Sequence, residues 1–436
     1  MALTKSLGQN IKPVDGNGLS TFVDDKDGVL KLKDINGCVT PMSTYVCGGG
    51  SSSCALYVVG TGTDSTQRIN VNNIANGNYS ASLGGVCNSS SGLNAIIGGG
   101  QLNCAQGIFS GIVGGFSNCA STDYTFIGGG KSNSASGLYA SVLGGLNNQA
   151  ICAYSTIAGG QLNCACGVFS GILNGFSNCA TGNYATILGG CTHKNLGSLS
   201  TIVGGGNNTI SIASQFSNIN GGASNCINAC YSTIGGGQSN CSTANYTNVS
   251  SGKSNSASGL YASIFSGNSN KAVGQYSNVT AGLSNCVNGG WGFIGGGATN
   301  TIIADCSSVL GGQTNTIGVD GTLSSILGGT INKVYGSYSL IGGGSSNTIC
   351  SNTSLYSNIV GGLLNNTCIG SYNSILGGRT NTMCHDYSGI MGCGITSDRA
   401  CTMFVNNLSI KNIPTSSAGL PSGSVWSNAG VLNIVP

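Results

Sequence analysis

A fifteen-residue repeat constrains the fold of this chain more than any other feature of its sequence. One asparagine recurs at the same phase, with longer steps near the end, and His193 takes one of its places. Repeats built from helix pairs need about 33 residues or more, so this repeat is too short for them and fits one coil of a β-solenoid. The asparagines are Asn88, Asn103, Asn118, Asn133, Asn148, Asn163, Asn178, Asn208, Asn225, Asn240, Asn255, Asn270, Asn285, Asn300, Asn315, Asn332, Asn347, Asn365 and Asn381.

Other positions keep the same phase, and we number them by their distance after the repeat asparagine in the fifteen-residue repeats; in longer repeats the same numbers denote the equivalent positions. Position +6 is usually aromatic, position +7 is small and position +9 is isoleucine or valine, and paired glycines then close the segment. Glycine permits a tight corner because it tolerates a positive φ. The residues predicted to form structural ladders include Asn103, Asn118, Asn133, Asn148, Asn163, Ile112, Ile127, Ile157, Ile172, Tyr124, Tyr139 and Tyr154.

Alternation within the segment YSTIAGG, residues 154–160, predicts which side chains face inward. Because side chains alternate across a strand, Ser155, Ile157 and Gly159 share one face, whereas Tyr154 and Thr156 share the other. The first face barely varies between repeats, which indicates packing against identical coils above and below. We expect the repeat asparagines to stack, with each amide donating to and accepting from the next. The sequence therefore predicts an all-β chain, a parallel β-solenoid or β-roll of about 20 coils.

Charge is distributed unevenly and suggests a division into three parts. Twelve of the 25 charged residues lie between Lys5 and Arg68. We expect an N-terminal attachment segment with short strands at 1–75, the repeat region at 76–395, and a β-rich C-terminal cap or attachment segment at 396–436. The net charge of +3 is too small to indicate nucleic-acid binding. The sequence contains no apolar run long enough for a membrane span and no signal-peptide core, so we expect synthesis in a cytoplasm.

Position +10 carries an aliphatic residue in many repeats, next to the inward residue at +9. An apolar edge on a long stack promotes aggregation unless something covers it. We therefore expect this edge to pack against other copies of the chain. The residues are Val113, Leu143, Leu173, Leu188, Val203, Leu310, Leu327 and Leu376.

Two stretches of the repeat region carry a resemblance to a known family. The segments NSASGLYASVLGG (133–145) and NCATGNYATILGG (178–190) are similar to the head-domain repeats of trimeric autotransporter adhesins. The similarity covers roughly residues 76–395. It implies a left-handed parallel β-roll in which three chains lie side by side, and thus a homotrimeric rod. The heptad stalk and membrane-barrel anchor of that family are not found in the sequence.

The last thirty residues carry a second resemblance. The segment NLSIKNIPTSSAGLPSGSVWSNAGVLNIVP (407–436) resembles the closing segment of tailed-phage structural and fibre proteins, through Leu420-Pro421, Val425-Trp426 and Gly430-Val431-Leu432. The resemblance implies a homotrimeric virion fibre, either a tail fibre or a capsid decoration fibre, assembled in the host cytoplasm. Its expected partners are other virion proteins, contacted through a terminal segment, and a host-surface glycan is a further candidate.

Other functions remain open from the sequence. A bacterial trimeric surface adhesin exported by an unconventional route is the alternative to the virion fibre. An ice-binding solenoid needs regular threonine rows, but position +8 holds Thr156 and Thr186 in some repeats and Ile96, Phe126 and Asn248 in others. A glycan-degrading spike would need a pair of carboxylates. The chain has no glutamate, and its aspartates in the repeat region are isolated, so we predict no catalytic residues and no enzymatic activity.

The 21 cysteines have three possible interpretations. Seven of them follow the repeat asparagine directly, at position +1, where other repeats have serine, threonine or lysine. Because an unpaired lysine would not tolerate a dry interior, this position is expected at the surface or near a corner. The cysteines then either replace serine and threonine, or form disulfides after cell lysis, or bind metal. We predict no metal site and no cofactor, because no four ligands converge.

Overall fold

The computed structural model describes residues 20–23, 30–33, 39–41, 57–68, 72–350, 353–409, 411–428 and 430–435. Within these ranges the regular elements are β-strands, and none of the described residues is helical. The chain divides into two compact units, one ending at Cys191 and the other beginning at Thr192.

The first unit starts with five strands outside the regular repeat. Strands β1 (Ser20–Val23), β2 (Leu30–Lys33) and β3 (Val39–Pro41) form an antiparallel sheet. Strands β4 (Tyr57–Val59) and β5 (Thr66–Arg68) form an antiparallel pair. The free edge of β5 then pairs in parallel with the first coil, so the parallel stack begins at β5.

Sixteen two-residue strands follow in the first unit, and they form two parallel ladders. The even-numbered strands form the first ladder at positions +1 and +2, and the odd-numbered strands form the second ladder at positions +8 and +9. In chain order, β6 to β21 are Ile74–Ala75, Ala81–Ser82, Ser89–Ser90, Ile96–Ile97, Cys104–Ala105, Gly111–Ile112, Cys119–Ala120, Phe126–Ile127, Ser134–Ala135, Ser141–Val142, Gln149–Ala150, Thr156–Ile157, Cys164–Ala165, Gly171–Ile172, Cys179–Ala180 and Thr186–Ile187.

The second unit repeats the same arrangement, with even strands in its first ladder and odd strands in its second. Strand β48 adds to the second ladder, and β49 and β50 form a separate antiparallel hairpin. In chain order, β22 to β50 are Lys194–Asn195, Thr201–Ile202, Thr209–Ile210, Asn218–Ile219, Cys226–Ile227, Thr233–Ile234, Cys241–Ser242, Asn248–Val249, Ser256–Ala257, Ser263–Ile264, Lys271–Ala272, Asn278–Val279, Cys286–Val287, Phe293–Ile294, Thr301–Ile302, Ser308–Val309, Thr316–Ile317, Ser325–Ile326, Lys333–Val334, Leu340–Ile341, Thr348–Ile349, Asn358–Ile359, Asn366–Thr367, Ser374–Arg379, Thr382–Met383, Gly389–Cys393, Met403–Val405, Val425–Asn428 and Val431–Ile434.

Left-handed backbone at three points explains how fifteen residues close one coil. In the coil of Asn103, Gly100, Leu102 and Phe109 all have positive φ, and the same three positions do so in most other coils. The N–H groups of Leu102 and Phe109 donate back to the preceding coil, to Val86 O and Leu93 O. Other N–H groups donate to the following coil, as Gly111 N does to Thr125 O. Each coil is thus hydrogen-bonded in both directions.

The interior of each coil is narrow and is filled by a fixed set of side chains. In the coil of Asn103, the buried residues include that asparagine, Ala105, Ser110 and Ile112. In the second unit, position +2 holds a larger residue in many coils, such as Ile210, so that two aliphatic side chains share one coil. From Ile97 to Ile187 each coil of the first unit has one large aliphatic side chain inside, because its position +2 holds alanine or serine.

The predicted all-β parallel β-solenoid is confirmed, with about 22 coils in the two units together. In the segment 154–160, Ser155 and Ile157 are buried and Tyr154 is exposed, as alternation predicts. Gly159 was expected on the buried face but is only half-buried. The strand pairing ends at Ile157, and the chain turns outward toward Gly160, whose φ is +88°.

Candidate functional site

The repeat asparagines lie inside the coils and bind mainly to backbone groups. Oδ1 of Asn103 accepts a hydrogen bond from the backbone N–H of Asn118 at 3.0 Å. Nδ2 of Asn118 donates to the carbonyl oxygens of Gly114 in its own coil and Gly130 in the next, each at 3.0 Å. Amide-to-amide bonds, which the sequence suggested for every step, occur beside these at only some coils. Each side chain therefore links the glycine corner of its own coil to the glycine corner of the next coil.

His193 occupies an asparagine position in the second unit and keeps one function of the amide. It is fully buried, and its Nδ1 accepts the backbone N–H of Asn208 at 3.1 Å. Burial lowers the pKa of His193, because desolvation penalises the imidazolium. The neutral ring can thus replace Oδ1 as the acceptor for the next coil.

The aromatic residues at position +6 form stacked rows on the outside of each unit. From Phe109 to Tyr184 the ring centroids of successive coils are 4.5 to 5.5 Å apart, with interplanar angles of 5 to 12°. A ring inside such a row has both faces covered by its neighbours and exposes only its edge. Sugars stack on ring faces, so this geometry favours the structural interpretation of the row over glycan binding. The predicted ladder residues Tyr124, Tyr139 and Tyr154 all lie within it.

Cysteines at position +1 of successive coils meet in pairs. Cys104 pairs in register with Cys119, and Cys226 with Cys241, and all four side chains are half-buried. The hydrogen bond from the Cys119 thiol lowers the pKa of Cys104 to about 6 and raises that of Cys119. The same contact with Cys241 lowers the pKa of Cys226 to about 7. In each pair, one thiol therefore loses its proton at a lower pH than an isolated thiol does.

Position +1 is a surface position, as the lysines indicated, because Lys194, Lys271 and Lys333 are exposed there. In another part of the first unit, the sulfur atoms of Cys164 and Cys166 are 2.8 Å apart. Among the described residues, no group of three or more histidine, cysteine or acidic side chains has an arrangement that could hold a metal ion.

Several aspartates have a structural partner that sequence reasoning did not identify. Oδ1 of Asp123 accepts the N–H of Ile108 in the preceding coil at 2.8 Å. Asp305 and Asp386, at the same position +5, accept equivalent bonds at 2.7 Å. Asn183 does so as well, from Val168 at 3.1 Å, which shows that the carboxylate charge is not required. The signal in the sequence was the recurrence of aspartate and asparagine at +5.

The outward face of the second ladder carries exposed apolar side chains in many of the described coils. We call it the outer face, and it consists of positions +8 and +10, because position +9 points inward. All eight residues of the predicted apolar edge are exposed on it. Sequence reasoning recognised the +10 row but missed the contribution of +8, where Ile96 and Phe126 are also exposed. Between those two, at Gly111, a groove of about 380 Å³ opens, with Ile112 and Val113 in its wall.

None of the described elements is an apolar helix long enough to cross a membrane. The chain matches no known family model and no curated protein.

Proposed function

We propose that the chain is a structural subunit of a virus particle, a homotrimeric tail fibre or capsid decoration fibre of a tailed phage. The observation that carries the proposal is the outer face, an exposed apolar surface that repeats coil after coil. A stack of identical coils with such a face suits a rod built from several chains. The repeat asparagines and several aspartates join successive coils.

The ends of the chain supply the attachment role in this proposal. Residues 425–428 and 431–434 form a hairpin whose Val425, Val431, Leu432 and Ile434 are exposed. An isolated two-stranded hairpin is marginally stable in water, so it gains from contact with another surface. The proposed partners are virion proteins that this hairpin or the N-terminal segment contacts. A host-surface glycan is a further proposed partner.

Purification of virus particles from infected cells tests the proposal. We expect the chain to remain with intact particles through a density gradient, and gold-labelled antibodies to mark projections on them in electron micrographs. The isolated protein should have a mass in solution three times its 43.2 kDa chain mass. Recovery of the chain on bacterial surfaces in the absence of particles would refute the virion assignment and favour the adhesin alternative.

A further inference from the structure

We propose that a gap in the aromatic row of the second unit binds one hexopyranose ring that carries no acidic group. We call this gap the slot: Trp291 and Leu323 are its two walls, and Cys306 is its floor. The inference deepens the proposed function, because it gives the host-surface glycan a binding site. It rests on that function only for the biological source of the sugar.

The slot lacks an aromatic ring but keeps the backbone of the row. In the coil after Trp291, Cys306 holds the same position, with a φ of +54° and an N–H that donates to Gly290 O at 2.8 Å. The aromatic residues have positive φ and the equivalent bond, as Trp291 N has to Gln275 O. Leu323 follows in the next coil with a φ of +57°. The row is therefore continuous in its backbone, and only one ring is missing from it.

Trp291 presents to the slot a ring face that no other aromatic side chain covers. Tyr276 stacks on its opposite face, with 5.3 Å between the ring centroids and 19° between the ring planes. Trp291 is 59% exposed, whereas the interior rings Tyr246 and Tyr261 are 44% and 41% exposed. Cys306 is too small to cover an indole. The buried ring faces that count against sugar binding inside a row are thus replaced here by an open one.

The height of the slot suits a single ring. The three coils pair in register, at the spacing of parallel strands, so a ring above Cys306 lies about 4.8 Å from Trp291 and about 4.8 Å from Leu323. Carbon atoms in contact lie about 3.5–4.0 Å apart, which leaves about 1 Å to spare on each side. This extra space accommodates the puckered chair of a pyranose and its axial C–H groups. A second layer does not fit.

The carboxylate of Asp305 lies at the edge of the slot. Its Oδ1 accepts the N–H of Gly290, the residue before Trp291, at 2.7 Å, and Asp305 itself precedes Cys306 in the chain. A carboxylate has lone pairs for several hydrogen bonds, so Asp305 can accept sugar hydroxyl protons while it keeps this bond. Aromatic and apolar walls with a few polar groups are typical of small-ligand sites.

Charge around the slot selects against acidic sugars. From Asn285 to Asn332 the charged residues of the sequence are Asp305 and Asp320, and both are exposed. This stretch contains neither lysine nor arginine. A uronic acid would bring a third negative charge to a surface without a cation, and like charges placed together disfavour binding. The slot therefore suits a neutral hexose or an amino sugar.

Fluorescence of Trp291 in the full chain measures binding directly. Trp291 and Trp426 are the two tryptophans of the chain, so Trp426→Phe leaves Trp291 as the only one. The probes are glucose, galactose, mannose, N-acetylglucosamine, glucosamine and glucuronate. We expect at least one of the first five to change the emission with a dissociation constant on the order of 1 mM, as suits a ligand of this size. Glucuronate should bind more weakly than that sugar by about tenfold or more. Emission unchanged by the first five would overturn the inference.

Filling the slot with a side chain tests its location. Cys306→Tyr supplies the missing ring at a φ of +54°, close to the +56° of Tyr276 in the same row, so this variant is expected to fold and to stack on Trp291. It should weaken sugar binding by about tenfold or more. The matched control Cys306→Ser keeps the position small and should leave binding within about twofold. Circular dichroism checks the folding of both, and equal affinities of the two variants would overturn the slot as the site.

Neutralisation of Asp305 tests the polar edge of the slot. Asn183 makes the same backbone bond in another coil, so Asp305→Asn should preserve the corner. Without the carboxylate charge, the preference for the bound sugar over glucuronate should narrow by about threefold or more. An unchanged preference would contradict the role assigned to Asp305.

Two probes that are not sugars test the class of ligand. Phenol represents an aromatic ring, and choline represents an organic cation, which an indole beside acidic side chains would also attract. Tighter binding of either probe than of every sugar would overturn the sugar assignment.

Association of the chain with virus particles is measured separately from these titrations. A chain that stays with particles but binds no sugar refutes the slot alone. A chain that binds sugar but is absent from particles refutes the virion role alone.

Discussion

Removal of one ladder asparagine tests the central interaction of the fold. Asn148 is fully buried, and its Oδ1 accepts the backbone N–H of Asn163 at 3.0 Å. Its Nδ2 donates to Gly144 O at 3.0 Å and Gly160 O at 2.9 Å. In Asn148→Ala the buried N–H of Asn163 loses its acceptor, and leaving a buried group unsatisfied costs about 1–3 kcal/mol. The two lost amide bonds cost about 1 kcal/mol each, which gives about 4 kcal/mol in total.

Hydrogen exchange measures this loss locally, which suits a repeat protein because its unfolding need not be two-state. A loss of about 4 kcal/mol lowers the protection of neighbouring amides by about a thousandfold where global or subglobal opening controls exchange. The control is Gln149→Ala, which removes an exposed amide from the next residue of the same coil. If the two variants exchange alike around Asn163, the asparagine ladder does not stabilise the coils as argued.

Three further predictions concern other repeat positions. The pKa of His193 is lowered in the folded chain, so its stabilising contribution is complete above the unfolded pKa of about 6.5 and is lost as the pH falls through the folded pKa. Protection of the Asn208 amide against hydrogen exchange should therefore fall in acid, and His193→Asn should remove that pH dependence. Cys104, with its pKa of about 6, should be alkylated by iodoacetamide with a rate that rises near pH 6, and Cys119→Ala should move that rise to higher pH; a rise unaffected by this substitution would refute the shared proton. Tyr139 has positive φ and stacks between two rings, so Tyr139→Ala and Tyr139→Gly should both destabilise the coil. The alanine variant should be the less stable of the two by about 1 kcal/mol, because alanine keeps the strain of the left-handed backbone and glycine does not. Equal denaturation midpoints of the two variants would show that this strain is negligible.

The coil and its buried face could be predicted from the sequence because one residue type recurs at one phase. Ile157 at +9 is buried, and Asn148 aligns with the equivalent asparagines of the neighbouring coils. A shift in the register between coils would place an amide or a charged side chain in the narrow interior, which has no room for it. The spacing of the coils along the chain follows from the same period. These features depend only on alternation and repetition, both of which are visible in a single chain.

The glycine corner was predicted, but the other two left-handed points of each coil could not be predicted in the same way. Leu102 and Phe109 adopt positive φ, which is unusual for large side chains. The residue types at these two positions therefore do not indicate a left-handed backbone. The coil imposes this conformation because stacking and backward hydrogen bonds offset its cost. The amide-to-amide bond was predicted and occurs at some coils, but the main acceptors of the amide were not predicted, for a related reason. Its main acceptors are glycine carbonyls such as Gly114 O, whose position depends on the corner geometry.

Parallel pairing leaves the first strand of a ladder with an unpaired edge unless another strand covers it. In the first unit, the second ladder begins at β5, whose other edge is paired with the antiparallel strand β4. Backbone N–H groups donate in both directions along the stack, as Gly111 does to Thr125 and Phe109 does to Leu93, so an uncovered end presents both donors and acceptors. A chain shortened to begin beyond Arg68 would uncover the edge of β7. That edge would then template the addition of foreign strands.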